Sequence, residues 1–192
     1  MREEYIAEVI ESSTTEFVAQ TRELHGSPPF GAFVKAGTSP VSFAMIYNIS
    51  TGSTDLNRRP VAYGKTEEEL RKEQPQVFEL LRTEIRAKII GYADDWGVQQ
   101  LLPPQPPKLH SFVFICTPEE VQALTRRFEY FRTLLGVSGT LSDELLIAAI
   151  QQTCGCQPES SHACLIRAGK ELSRLLRDDY DRLESILRRI QV

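Results

Sequence analysis

Ser111-Phe112-Val113-Phe114-Ile115-Cys116-Thr117-Pro118-Glu119-Glu120 is the stretch at which the chain changes character. Up to Cys116 it is a short β-branched and aromatic run, which reads as a strand. From Thr117 it combines an N-cap hydroxyl, a proline at the first helical position and a glutamate three residues after the cap, which together start a helix. Most of the chain before this point reads as strands and all of it afterwards as helices. The expected organisation is therefore α+β: a small N-terminal antiparallel β-barrel over residues 1–116, then a helical domain of about three helices over 117–192.

Working back from Ser111, the prolines of Leu101-Leu102-Pro103-Pro104-Gln105-Pro106-Pro107 exclude a helix or a central strand, because each fixes φ and lacks an N–H. This segment reads as an extended surface crossing into the last strand. Val77–Tyr92 carries Leu80, Leu81, Ile85, Ile89 and Ile90, which fit either a helical or a strand period. A strand over Glu84–Gly91 is the better reading, since a barrel needs a closing strand. Thr66-Glu67-Glu68-Glu69 has the form of a capping box and predicts a short helix ending before Pro75. Val41–Ser50 is apolar enough for a central strand, and a short strand precedes it between Gly26-Ser27-Pro28-Pro29 and Gly37-Thr38-Ser39-Pro40. Tyr5–Ile10 and Glu16–Thr21 read as a hairpin across Ser12–Thr15.

Working forward, helices are expected over Pro118–Leu135, Ser142–Thr153 and Ala163–Ile190. On the last, Leu176, Tyr180, Leu183, Leu187 and Ile190 recur at spacings of four and three, giving one apolar seam that other helices or a second chain must cover.

With 192 residues, 41% apolar and 25% charged, the chain is neither disordered nor a disulfide scaffold, and its net charge of −4 argues against a basic nucleic-acid domain. No apolar run suffices for a membrane helix, and the acidic start (Arg2, Glu3, Glu4) is unlike a signal peptide, so a cytoplasmic protein with no membrane partner is expected. In that setting Cys116, Cys154, Cys156 and Cys164 are expected to be thiols.

Gly31-Ala32-Phe33-Val34-Lys35, the Val41–Ser50 strand, Arg59-Pro60-Val61-Ala62-Tyr63-Gly64 and the block from Gln76 to Glu84 resemble the HAS barrel, the small β-barrel at the front of ATP synthase α and β subunits and of HerA-type hexameric translocases. Leu102-Pro103-Pro104 to Pro107-Lys108-Leu109-His110 is similar to its final hairpin. The resemblance covers residues 1–116 and implies a barrel that contacts partner proteins. In those relatives a P-loop ATPase follows; here Gly64-Lys65-Thr66 has Arg59 where the loop needs its first glycine, so no phosphate cradle is present.

Two constellations bear on chemistry. Cys154, Cys156, His162 and Cys164 could surround a zinc ion, although the Cys-x-Cys spacing is tight for a structural loop; a labile disulfide is another alternative, and a plain inter-helix loop with no metal is the preferred reading. Arg167, Lys170, Arg174 and Arg177 fall at i, i+3, i+7 and i+10 on one helical face, suited to phosphates, to an acidic protein surface or to solvent. Arg58 and Arg59 form a smaller candidate of the same kind. His25 and His110 have no nucleophile motif around them, and Asp94-Asp95 and Asp178-Asp179 read as solvated charge. The expectation is a non-enzymatic assembly or protein-interaction module needing no cofactor, bound to a partner or to itself; the alternative is a nucleic-acid-associated accessory protein using the basic stripe.

Overall fold

The structure, a computed structural model, describes residues 4–55, 60–137, 141–157 and 161–190. Its strands are β1 (Ala7–Ser12), β2 (Glu16–Thr21), β3 (Phe33–Ala36), β4 (Val41–Ser53), β5 (Leu81–Asp94), β6 (Gly97–Gln99) and β7 (Phe112–Ile115). They pair antiparallel in the order β2-β1-β7-β3-β4-β5, and β2 pairs with β5, which closes a six-stranded barrel; β6 hangs on the far end of β5. The β1–β2 turn forms because the Ser13 hydroxyl accepts the amides of Thr15 and Glu16 at 3.3 and 3.1 Å. Long β4 and β5 follow the barrel's curvature through two irregularities in their register, at Phe43/Ala44 and Ile46/Asn48.

Strand alternation sorts side chains onto the two faces of the wall. Val34, Ala44, Ile46, Ile85 and Ile89 point inward with Ala7, Val9 and Phe17, and this cluster fills the barrel. Its many alanines suit the narrow interior of a six-stranded barrel, which is packed with side chains. Phe33, Phe43, Met45 and Ile90 alternate with these and point outward into a second, larger cluster that the helices complete with Tyr130, Phe131, Leu145, Ile150 and Leu172. The wall is thus apolar on both faces along Phe33–Val34 of β3 and Phe43–Ile46 of β4, with Ile90 continuing it onto β5. Lys35, also outward, reaches Glu120 of the first C-terminal helix at 2.7 Å.

The helices are α1 (Glu67–Glu73), α2 (Gln76–Glu79), α3 (Pro118–Leu124), α4 (Phe131–Leu135), α5 (Leu141–Cys156), α6 (Ser161–Leu175) and α7 (Tyr180–Arg189). Both expected capping boxes are present, at Thr66 with Glu69 and at Thr117 with Glu120. The expected count of three C-terminal helices is corrected to five described ones, since two long helices are each broken. Pro118–Leu135 splits into α3 and α4 because Gln100, on the segment after β6, donates its amide to the carbonyls of Leu124 and Arg127 and accepts the Tyr130 N–H at 3.1 Å. One distant side chain supplies the partners that continued helix would have supplied. Ala163–Ile190 splits into α6 and α7 because Asp179 caps α7, accepting from the Arg182 amide at 3.3 Å. No helix among the described residues is long and apolar enough to cross a membrane.

One smaller expectation also changes. The proline-rich crossing is not wholly superficial: Pro103 and Pro107 are buried, and the Pro107 carbonyl accepts from Ser12 Oγ at 2.6 Å. The chain reverses at Gly31 with φ +82°, a conformation that favours glycine, and a Cβ there would lie 2.5 Å from the Ala148 Cβ of α5. The barrel and α5 touch through that missing methyl.

Candidate functional site

The basic stripe is brought together with residues that the helical reading had placed elsewhere. Arg167, Lys170 and Arg174 project from the exposed face of α6 and line a groove whose other wall is the α3–α4 connection, carrying Arg126, Arg127, Phe128 and Glu129. Gln100 holds that connection in place by the three hydrogen bonds described above. The Arg167 guanidinium lies 5.3 Å from the centroid of the buried Phe128 ring and donates to the Arg126 carbonyl at 3.3 Å. Glu171 binds Arg174, whose own pKa is held up by that bond, and Glu129 sits 3.8 Å from Arg127. Arg177 does not join the groove: it lies in the turn after α6 and pairs with Asp178 at 3.1 Å. Arg58 and Arg59 lie outside the described residues.

A second cleft adjoins the first across Arg126, Arg127 and Glu129, and its far wall is Val98, Leu101, Ala123 and Leu124. Trp96, 89% exposed at the tip of the β5–β6 hairpin, stands beyond it, and Leu101 and Leu102 are exposed as well. Sequence reasoning missed this part of the surface. A continuous helix over Pro118–Leu135 puts Arg126 and Arg127 in its middle, and the three-residue strand β6 lacks a run long enough to signal itself.

The seam is not one continuous stripe. Leu176 and Leu183 are buried within the chain, with Ile186, and Ile190 packs against the same core, whereas Tyr180 and Leu187 face solvent. The broken helix rotates the stripe, and α7 is fastened to α5 by Arg182 to Asp143 and Arg189 to Glu144, both at 2.6 Å. Cys154 and Cys164 form a disulfide between α5 and α6, correcting the expectation of thiols. Their Cα atoms are 5.4 Å apart, within bridging range, because the two helices are joined end to end by a short connection. The zinc arrangement is not assembled: Cys156 and His162 do not converge on that pair, and no group of three or more metal-ligating side chains occurs among the described residues. Burial, aided by the Glu119 carboxylate, pushes the Cys156 thiol up, away from reactivity.

Three histidines occupy three separate places. His162 is exposed at the start of α6. His110 (φ +66°) contacts Glu8 across from β1. His25 (φ +62°) places Nδ1 3.4 Å from Thr51 Oγ1, whose hydroxyl lies 2.8 Å from that of the buried Thr83. Among the described residues this is a histidine beside a hydroxyl, and its contacts serve to pin the β2–β3 connection onto β4 and β5. A further cleft holds Glu16, Tyr47 and Lys88, where burial and then Glu16 push the Tyr47 phenol up, the wrong direction for a base.

No protein-family model matches the chain, and no curated protein matches it. The fold and the surfaces described above carry the functional argument.

Proposed function

We propose that the chain is a non-enzymatic protein-interaction or assembly module, built on a HAS-like barrel that its helices brace. The closed six-stranded barrel, entered at β7 through a proline-rich approach, supports the HAS-like reading. The observation that carries the function is the pairing of a barrel interior filled by side chains with large apolar side chains left in solvent from Trp96 to Leu102. A small barrel filled by its own side chains offers its outer surface for contacts, and grouped exposed apolar side chains mark contact surfaces.

The test is native mass spectrometry and affinity capture with Trp96→Ser/Leu102→Ser as the matched control. A defined complex, with itself or another protein, that the variant loses is the expected result. Identical captures by parent and variant overturn the reading. A nucleic-acid-associated role is the second reading, favoured by the cations of the α6 groove; a gel shift in low salt that Arg174→Glu abolishes is its signature.

A further inference from the structure

We propose that the α6 groove and the adjoining cleft together bind an acidic segment of a partner protein, one whose carboxylates alternate with aliphatic side chains. This rests on the interaction-module reading and specifies the partner's chemistry.

Charge complementarity carries the argument. Among the described residues the groove gathers Arg126, Arg127, Arg167, Lys170 and Arg174 with Glu129 and Glu171, in a chain whose net charge is −4. Both carboxylates already have cations, Arg127 and Arg174, while Arg126 and Lys170 make no ion pair among the described residues. Those two exposed cations are the ones offered to a ligand. The cleft sharing Arg126 and Arg127 adds Val98 and Leu101, so cationic and aliphatic subsites run on from one another. Such a surface selects a chain bearing both kinds of side chain.

A nucleic acid fits less well on three counts. Glu129 and Glu171 would face its phosphates, and the aliphatic subsite offers nothing to a sugar–phosphate backbone. Phe128, the aromatic ring between the cations, is buried beneath Arg167 and leaves no face for a base to stack on. The groove is also held before binding: Gln100 fixes one wall, and the Cys154–Cys164 bridge ties α6, the other wall, to α5. Little ordering remains to oppose association.

The experiment is fluorescence anisotropy on the full chain, with a labelled peptide of Glu, Asp and Leu, its Gln/Asn counterpart, and labelled oligothymidylate. Binding of the acidic peptide is expected to weaken as salt rises and to fall at least about tenfold in Arg126→Glu/Lys170→Glu, with an unchanged melting temperature because both side chains are exposed. Equal binding of the acidic and amide peptides, or equal binding by the double variant, overturns the proposal. Tighter binding of the oligonucleotide also overturns it and gives the groove to nucleic acid. Capture that still depends on Trp96 and Leu102 after either failure leaves the interaction-module reading standing; loss of both removes both.

Discussion

Replacing Gly31 by alanine tests how the barrel is joined to its helices. The residue sits at φ +82°, and an added Cβ would lie 2.5 Å from Ala148 Cβ, a separation that real Cβ atoms do not tolerate. Two costs follow. An L-residue in left-handed backbone loses about 1–2 kcal/mol, and overpacking against a helix-anchored methyl adds about 1–3 kcal/mol. Gly64 supplies the control, because it has φ +66° but nothing within 4 Å of the position its Cβ would take. Gly64→Ala should therefore incur the backbone cost alone. For a chain of this length each kcal/mol lowers the melting temperature by about 2–4 °C. Gly31→Ala is expected to melt about 10 °C below the parent and about 5 °C below Gly64→Ala by scanning calorimetry. Adding Ala148→Gly should recover part of the difference, although glycine within α5 itself costs about 1 kcal/mol. Equal melting of Gly31→Ala and Gly64→Ala, or no recovery in the double variant, would refute the close approach of barrel and α5.

Three further outcomes are expected. Denatured, unreduced protein should show two reactive thiols by Ellman titration and four after reduction, and reduction should lower stability by about 2–3 kcal/mol, the chain-entropy value for so short a loop; four thiols without reductant would remove the Cys154–Cys164 bridge. Tyr130→Phe should destabilise by about 1–2 kcal/mol in denaturant melts, since it leaves the buried Thr153 hydroxyl without the partner it has at 2.9 Å; adding Thr153→Val should recover most of that loss. In an NMR pH titration Glu69 should ionise below an ordinary glutamate, because the Thr66 backbone N–H and then its hydroxyl bind the carboxylate. With its folded pKa depressed, its support of α1 is complete above the unfolded value and fades as pH falls through the folded one; Thr66→Ala, which removes the hydroxyl and keeps the backbone N–H, should move Glu69 only part of the way back towards ordinary titration.

The barrel was largely legible because its strands are bounded by turn residues, and the choice of strand over helix for Glu84–Gly91 agrees with β5, which does close the barrel. The capping boxes at Thr66 and Thr117 were legible because they are local, complete within four residues. What escaped was decided at a distance. Nothing near Leu124 announces that α3 ends there, because the side chain responsible is Gln100, 24 residues earlier. Asp179 was visible but was outweighed by the unbroken spacing of Leu176, Tyr180, Leu183 and Leu187, a pattern that survives whether or not the helix is continuous. For the candidate site, the α6 stripe could be read from helical spacing, whereas Arg126 and Arg127 could be added only once the break had turned them out of a helix. The disulfide was among the readings left open, and it takes the meeting of α5 and α6 to single out Cys154 and Cys164 from the other two cysteines.

The wall with two apolar faces bears on strand alignment. In most sheets a slip by one residue sends the buried set of side chains into water and draws polar ones inside. Here a slip of β3 or β4 would exchange Phe33, Phe43 and Met45 for Val34, Ala44 and Ile46, driving bulky side chains into a barrel sized for small ones and leaving the helices to close over gaps. On β3 the same slip would also carry Lys35 into the barrel, so polarity opposes it there; along β4, from Val41 to Ile46, polarity alone would not oppose the exchange and volume does. The alignment of β4 is therefore enforced by size rather than by wetness, and pairs that swap large for small across the wall, such as Met45→Ala with Ala44→Met, are changes that it absorbs poorly.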